Sequence, residues 1–230
     1  MGGSRRSHRE VAALIRRERP DVAHVHNTFP LVTPSVYAAA REARVPVVQT
    51  LHNYRWLCAA ATFYRQDAVC ELCGPTRIGP ALRHRCYRDS LIGSAAVAFA
   101  QRRAWRNGSY AQAIDAYITL SGFAAARFVA AGLDPARVHV KPNFVDDIDP
   151  PGAGDGGYAV YAGRLSTEKG LLTLLDAWRG LRDIPLRIVG DGPLLAELRA
   201  RAAREGLPVE FLGLRPREEV RAVIGAAALL

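Results

Sequence analysis

The chain has 230 residues, of which 49% are hydrophobic and 23% charged, a composition typical of an ordinary α/β protein with one large domain or two small ones. Residues 1–19 are basic and lack the apolar core of a signal peptide, and the longest apolar run, 91–100, is about half of the ~20 residues that span a bilayer. We therefore expect a cytoplasmic protein that at most rests on the inner face of a membrane.

The net charge of +9 comes almost entirely from arginine, since Lys141 and Lys169 are the only lysines. Such a balance favours anionic partners. Nucleic acid is excluded as a partner by the lack of any aromatic-rich RNA-binding strand or C2H2 spacing. A dense basic cluster flanks the apolar run 91–100, and its members are Arg83, His84, Arg85, Arg88, Arg102, Arg103 and Arg106. This cluster is compatible with an anionic membrane surface, although packing of the helix in a core with solvated flanks is the more general explanation.

Helices and strands alternate along the chain, which predicts an α/β fold with parallel sheets. The first set comprises helix 9–19, strand 21–26, helix 34–43, strand 45–50, helix 90–112, strand 116–120, helix 121–131 and strand 138–141. The second set comprises strand 158–162, helix 170–180, strand 185–190, helix 193–205, strand 208–212 and helix 216–224. A Pro- and Gly-rich stretch separates the two sets. It predicts a domain over 1–146 with an insert at 56–88, a linker over 147–157 and a second domain over 158–230.

The most informative motif is Tyr158-Ala-Val-Tyr-Ala-Gly-Arg-Leu-Ser-Thr-Glu-Lys-Gly170. A strand ends at Gly163, and a loop carrying Arg164 and Lys169 leads into an apolar-periodic helix. The unpaired N–H groups and partial positive charge of a helix N-terminus favour an anion, most often a phosphate. From these residues alone, a solvated Arg and Lys on an ordinary turn explain the motif about as well.

The motif resembles the donor-site loop of retaining GT-B glycosyltransferases of family 4. Six further segments resemble that family in the same order: Arg19–Asn27, Val45–Asn53, Ala116–Phe123, Val138–Asp146, Leu186–Pro193 and Val209–Gly213. The resemblance implies two Rossmann-like domains with the active site in the cleft between them. It also implies transfer of a sugar, with retention, from a UDP- or GDP-linked donor to a saccharide or lipid-linked acceptor in cell-envelope or exopolysaccharide synthesis.

The resemblance also assigns roles to particular residues. Arg164 and Lys169 would neutralise the departing β-phosphate, so that no cofactor is required for catalysis, and His52 would lie near the sugar and the acceptor. The remaining substrate-binding candidates lie at predicted strand ends, and they are Asn27, Asn53, Gly163, Asp191, Gly192, Gly213 and Leu214. His24, within a strand, is expected to be structural, whereas His26, at the strand end, is expected to line the acceptor cleft. The Gly190-Asp-Gly192 turn is no dinucleotide fingerprint, because Leu195 stands where a third glycine would be needed.

Both ends of the family pattern are missing from this sequence, including the E-x7-E segment that supplies donor-binding carboxylates. We therefore expect an interior fragment of a longer enzyme or a degenerate gene product, whose independent activity is in doubt.

Four cysteines, Cys58, Cys70, Cys73 and Cys86, lie within about 30 residues. One C-x2-C pair with two flanking thiolates can complete a tetrahedral zinc site, and His84 or His52 could replace one thiolate. Four reduced thiols in a loop, or a pair of disulfides, are the alternatives. We expect a structural zinc because the insert is too polar to bury much core of its own.

Two other functions remain open at this point. One is a non-catalytic, zinc-stabilised binding module, and the other is a nucleotide-sugar epimerase with a GT-B fold. A dehydrogenase is disfavoured by the broken glycine fingerprint.

Overall fold

The computed structural model of the protein describes residues 4–30, 32–144 and 152–230. The chain divides into two compact units, Met1–Phe144 and Val145–Leu230. Of the predicted linker 147–157, residues 147–151 lie outside the described residues. No helix in the described ranges is long and apolar enough to cross a membrane.

The first unit contains a parallel sheet, a small hairpin and five helices among its described residues. In chain order its elements are α1 (Arg5–Glu18), β1 (Ala23–Val25), α2 (Ser35–Glu42), β2 (Val47–Leu51), β3 (Tyr64–Arg65), β4 (Ala68–Val69), α3 (Gly79–Arg83), α4 (Leu91–Arg106), β5 (Ala116–Thr119), α5 (Gly122–Ala130) and β6 (Val138–Val140). The sheet has the order β1-β2-β5-β6 with every pair parallel, whereas β3 and β4 pair antiparallel. The predicted parallel α/β architecture is therefore confirmed.

Serine side chains set where three helices of this unit begin. The hydroxyls of Ser4, Ser90 and Ser121 accept hydrogen bonds from backbone amides of the first turns of α1, α4 and α5, at 3.0–3.2 Å. Such a cap is worth about 1 kcal/mol, and Ser4 explains why α1 begins four residues earlier than predicted. Helix α4 ends at Arg106 rather than at residue 112, because Gly108 adopts a left-handed conformation with φ of 74°.

Aromatic packing at the core of the first unit includes the first residues of the predicted insert. Trp56 is buried, and its ring stacks on Tyr110 with the centroids 4.0 Å apart. Leu57 and Cys58 are buried in the same core, which also contains the fully buried Tyr117. The large apolar side chains directly after β2 thus extend the main core, and the rest of the insert forms the β3–β4 hairpin and α3 instead of an irregular loop.

The second unit repeats the pattern of parallel strands and helices. Its elements are β7 (Ala159–Ala162), α6 (Leu171–Trp178), β8 (Leu186–Val189), α7 (Leu195–Glu205), β9 (Val209–Gly213) and α8 (Arg217–Ala226). The sheet order is β7-β8-β9, all parallel, and a 3-10 turn at Thr167–Lys169 precedes α6. The fully buried side chains at the centre are Leu165, Leu171, Leu175, Leu186, Ile188 and Leu198.

Two loops of this unit are packed backbone against backbone. Gly190 has φ of 137°, and a Cβ there would lie 1.9 Å from the carbonyl oxygen of Gly163. A Cβ on Gly192 would lie 2.3 Å from the carbonyl oxygen of Leu165. Leu165 also donates its amide N–H to the carbonyl of Asp191 at 2.9 Å. Both glycines of the Gly-Asp-Gly sequence are therefore required because the loop after β7 packs closely against them, and not only because they form a tight turn.

An ion-pair network joins α6 to α7 on the outside of the second unit. Arg179 donates two hydrogen bonds to the Glu205 carboxylate at 2.8 and 3.0 Å, and Arg201 donates another at 3.0 Å. Arg201 also pairs with Asp176. The hydrogen bonds from Arg179, followed by those from Arg201, lower the pKa of Glu205 from the ordinary 4.5 to about 2.

We predict that Glu205→Gln lowers the thermal stability of the protein at neutral pH. The folded-state pKa of Glu205 lies below the unfolded one, so its stabilisation is complete above about pH 4.5 and is lost as pH falls towards 2. Melting curves across this pH range should show a difference between variant and parent that shrinks on acidification. The control Glu197→Gln, an exposed position on the same helix, should change little, and a pH-independent difference for Glu205→Gln would contradict the prediction.

We also predict that Gly190→Ala destabilises the protein by about 2 kcal/mol or more, because the left-handed backbone alone costs 1–3 kcal/mol and the new Cβ meets the Gly163 carbonyl. Gly180→Ala is the matched control, since a Cβ at Gly180 would lie 3.8 Å from its nearest neighbour, the carbonyl oxygen of Ala177. Urea unfolding of the two variants measures the difference, and equal stability would show that the two loops can separate at no cost.

Candidate functional site

Two histidines meet at the carboxyl edge of the sheet in the first unit. His26 follows β1 and His52 follows β2, and the parallel pairing of these strands brings Nδ1 of His26 to 2.7 Å from Nε2 of His52. One ring must donate and the other accept, so the two imidazoles cannot both be fully protonated while this bond exists. The sequence indicated each histidine separately but not the bond between them.

The predicted acceptor-side residues share one cavity of about 220 Å³. His52, Asn27 and Asn53 all line it, together with Arg55, which was not predicted. Asn53 donates to the side-chain oxygen of Asn27 at 3.4 Å and accepts the backbone N–H of Arg55 at 2.9 Å. The cavity therefore offers amide, imidazole and guanidinium groups, which suit the hydroxyl groups of a sugar or an anionic substituent.

A buried glutamine below the cavity holds this edge in place. The side-chain amide of Gln49 donates to the backbone carbonyls of His26 and Thr50, both at 2.7 Å. Its oxygen accepts the hydroxyl of the buried Tyr37, also at 2.7 Å. The sequence signal was present, since Gln49 is polar in an otherwise apolar strand, but its partner Tyr37 lies on α2 and only the fold identifies it.

His24 lies beside the histidine pair on β1. Its Nε2 is 2.8 Å from the hydroxyl of Thr50, and its ring centroid is 4.3 Å from that of His26. Partial burial, followed by the neighbouring His26 and His52, lowers the pKa of His24. His24 is thus exposed but hydrogen-bonded, and its expected structural role stays a prediction.

In the second unit the predicted residues gather at the carboxyl edge of the three strands. The amide N–H of Gly163 donates to the carbonyl of Val189 at 2.9 Å, and that of Gly190 to the carbonyl of Gly213 at 2.9 Å. Asp191 and Gly192 continue the middle loop, and Leu214 is 76% exposed beside it. The ends of β7, β8 and β9 thus form one surface of glycine-rich backbone.

The two predicted cations lie on this surface. Arg164 and Lys169 are exposed, and neither forms an ion pair with any of the described residues. The hydroxyl of Tyr161 donates to the carbonyl of Arg164 at 3.1 Å and so helps to fix the loop. Gly170, with φ of 71°, begins α6 without a side-chain cap, which leaves the first-turn amides without a side-chain acceptor in the described part of the chain.

One acidic residue between the cations was not singled out from the sequence. Glu168 accepts the hydroxyl of Ser166 at 2.6 Å. This hydrogen bond is the main cause of a lowered pKa of Glu168, and the charges of Arg164 and Lys169 lower it further. The ionised carboxylate offsets part of the positive charge of the loop, so the loop as a whole carries one net positive charge.

The cysteines of the first unit lie around a cavity of their own, of about 210 Å³. Cys58, Cys70, Cys73 and Cys86 all line it as free thiols, and His84 lines it too. Burial, followed by the nearby thiols, raises the pKa of Cys73 to about 11. As the side chains stand, no three His, Cys, Asp or Glu residues of the described ranges are placed to hold a metal ion.

Both units of the chain match family models of glycosyltransferases. Residues 2–148 match the family described as Glycosyltransferase Family 4, and residues 156–230 match the one described as Glycosyl transferases group 1. No curated protein matches the chain significantly.

Several solved structures are similar. HepE of Anabaena, in complex with UDP and glucose, is 19% identical with a TM-score of 0.55, over 90% of this chain and 51% of HepE. A TarM mutant of S. aureus, in complex with fondaparinux, alpha-GlcNAc-glycerol and UDP, is 9% identical with a TM-score of 0.57, over 94% of this chain and 38% of TarM. A glycosyltransferase of Rickettsia africae is 12% identical with a TM-score of 0.56, over 96% of this chain and 53% of that protein.

These structural similarities show a shared fold. The chain spans about half the length of HepE. The fold is the Rossmann-like α/β architecture of GT-B glycosyltransferases. With the first family model covering well over half of its residues, the chain belongs to glycosyltransferase family 4.

Proposed function

We propose that this chain takes part in the transfer of a sugar, with retention, from a nucleotide-sugar to a saccharide or lipid-linked acceptor in cell-envelope or exopolysaccharide synthesis. The observation that carries the proposal is the loop Gly163–Gly170. It presents Arg164 and Lys169 without an ion pair in the described residues, next to a helix start without a side-chain cap. Exposed cations and a helix N-terminus without a side-chain cap, at the carboxyl edge of a parallel sheet, are suited to a diphosphate.

The donor is a nucleoside diphosphate sugar, with UDP or GDP as the carrier. Structures of HepE contain UDP and UDP-glucose, and the TarM structure contains UDP. Gly213 would let a ligand approach its backbone closely, since the space where a Cβ would project from it is open. Leu214 would offer an apolar contact at the rim.

Arg164 and Lys169 would do most of their work as the sugar–phosphate bond breaks. Negative charge then grows on the β-phosphate, and fixed cations stabilise that charge more in the transition state than in the ground state. We propose that no cofactor is required for this step. Glu168, held by Ser166, keeps the loop from being a purely cationic surface and so leaves the nucleotide able to dissociate.

His52 is our proposal for the residue closest to the sugar and the acceptor. Its Nε2 is engaged with His26, so Nδ1 is the ring nitrogen available to a hydroxyl group. Asn27, Asn53 and Arg55 would orient the same substrate within the 220 Å³ cavity.

Helix α4 provides a surface for contact with an anionic membrane, which we propose as the place where a lipid-linked acceptor is presented. Its exposed stripe follows helical spacing and consists of Ile92, Ala96, Phe99, Arg103 and Arg106. Ile92 is 84% and Phe99 54% exposed, whereas Val97 and Ala98 on the opposite face are buried. Large apolar side chains followed by two cations fit an interface of acyl chains and anionic headgroups.

We predict that the chain binds UDP and that Arg164→Ala and Lys169→Ala each weaken binding by roughly tenfold or more. A hydrogen bond to a charged group contributes about 1.5–3 kcal/mol, and 1.4 kcal/mol corresponds to about tenfold. Titration calorimetry with UDP measures the loss, and uridine, which lacks phosphates, should show almost none. Arg204→Ala is the matched control, since this exposed arginine lies at the far end of α7. The proposal fails if the chain does not bind UDP or if both variants bind it as tightly as the parent.

We also predict that the chain sediments with vesicles of equal phosphatidylglycerol and phosphatidylcholine but not with phosphatidylcholine alone. Replacing both Arg103 and Arg106 by Ala should weaken binding by roughly tenfold or more, since each arginine near an anionic surface is worth about 1 kcal/mol. Phe99→Asp should weaken it as well. Val69→Asp, at a 78% exposed residue of the hairpin, is the control. Equal sedimentation of Phe99→Asp and Val69→Asp would show that α4 is not the contact surface.

A further inference from the structure

The cavity beneath the β3–β4 hairpin collects all four cysteines of the protein. Cys58 comes from the turn after β2, Cys70 and Cys73 follow β4, and Cys86 follows α3. They are separated by eleven, two and twelve residues, yet they line a single space of about 210 Å³. Three separate segments of the chain therefore deliver thiols to one place.

The charges around this cavity do not suit four neutral thiols. Three arginines, Arg65, Arg85 and Arg88, line the cavity, with Asp89 as its one acidic neighbour among the lining residues. The Nε of Arg65 is buried and has no hydrogen-bond partner among the described residues. A buried donor of a charged group without an acceptor is costly. An anion in the cavity would give the Arg65 N–H an acceptor.

Four thiolates around one zinc ion would supply that anion. Such a centre has a net charge of −2, because the four thiolates contribute −4 and the zinc ion contributes +2. A thiolate sulfur could accept the hydrogen bond from Arg65, and Arg85 and Arg88 would offset the remaining charge. The four protons released on binding would pass to solvent.

Packing around the cysteines gives a second and independent reason to expect a bound metal. The apolar cluster under α3 is built around Ala59, Ala81, Val97 and Ala98, all buried but mostly small. Cys73 and Cys86 pack against this cluster, whereas Cys58 belongs to the main core of the unit. A metal bound by both groups would fasten the hairpin and α3 to the sheet, which so small a cluster does weakly.

We propose that Cys58, Cys70, Cys73 and Cys86 bind one structural zinc ion. The thiols share the cavity without converging as they stand, and zinc binding would require the four sulfurs to move to the Zn–S distance of about 2.3 Å. Four protein ligands leave no open position, so the ion stabilises the fold and takes no part in sugar transfer. The proposal is independent of the nucleotide-sugar assignment.

The experiment is metal analysis of the full chain, purified under reducing conditions from zinc-supplemented cells. We expect about one zinc per chain. Cys73→Ser and Cys86→Ser should each lose most of it, whereas Leu72→Ser, between two of the cysteines but not lining the cavity, should keep it. His84→Ala should also keep it, and loss of zinc in that variant would overturn the four-cysteine set.

Because a cysteine variant may not fold, the parent chain provides a second measurement. Cobalt added to the metal-free protein should give the visible bands of a tetrahedral site and a sulfur-to-cobalt charge-transfer band. Alkylation followed by mass spectrometry should find all four thiols protected until a chelator is added. Less than a tenth of a zinc per chain, roughly, with all four thiols open to alkylation would overturn the proposal. Disulfides joining the cysteines in the purified protein would overturn it too.

Discussion

In the first unit, β2 pairs in parallel with β1 on one side and with β5 on the other, with Val25 opposite Gln49 and Leu51 opposite Thr119. Parallel pairing forces all strands to end at the same edge, and the register fixes which residues meet there. A shift of one residue would turn Gln49 and its neighbours to the other face, and His26 would no longer meet His52. The cavity lined by His52, Asn27 and Asn53 therefore depends on this register more than on any single contact within it.

Buried polar groups make that register specific. Gln49 satisfies both ends of its amide, with Tyr37 below and the carbonyls of His26 and Thr50 above. An apolar residue in its place would remove the acceptor of the Tyr37 hydroxyl and the donor to both carbonyls, and a buried polar group left without a partner costs about 1–3 kcal/mol. Hydrogen bonds of this kind keep the strand ends, and the polar side chains on them, in a fixed arrangement.

In the second unit, different contacts hold the carboxyl edge of the sheet in place. Its strand ends are held by close backbone packing, Gly190 against Gly163 and Gly192 against Leu165, with few side chains involved. The exposed side chains beside these loops include the two cations Arg164 and Lys169. A single exposed charge gains only about 1 kcal/mol at 4 Å in water, so neither Arg164 nor Lys169 would hold a diphosphate by itself. The proposed diphosphate site therefore requires the helix start and the two cations to act together.

The sequence by itself determined the alternation of helices and strands, the parallel sheets and the loop that carries Arg164 and Lys169. These features are periodic or local, and periodicity reports on local structure. It also placed His52, Asn27 and Asn53 at strand ends, because strand ends follow from the same pattern. The tertiary structure decided the rest. It decided that Trp56 packs in the core, that Gln49 pairs with Tyr37, and that Arg65 lies among four cysteines. These contacts join segments distant in sequence. Sheet register and side-chain packing set them, and local residue patterns do not encode them.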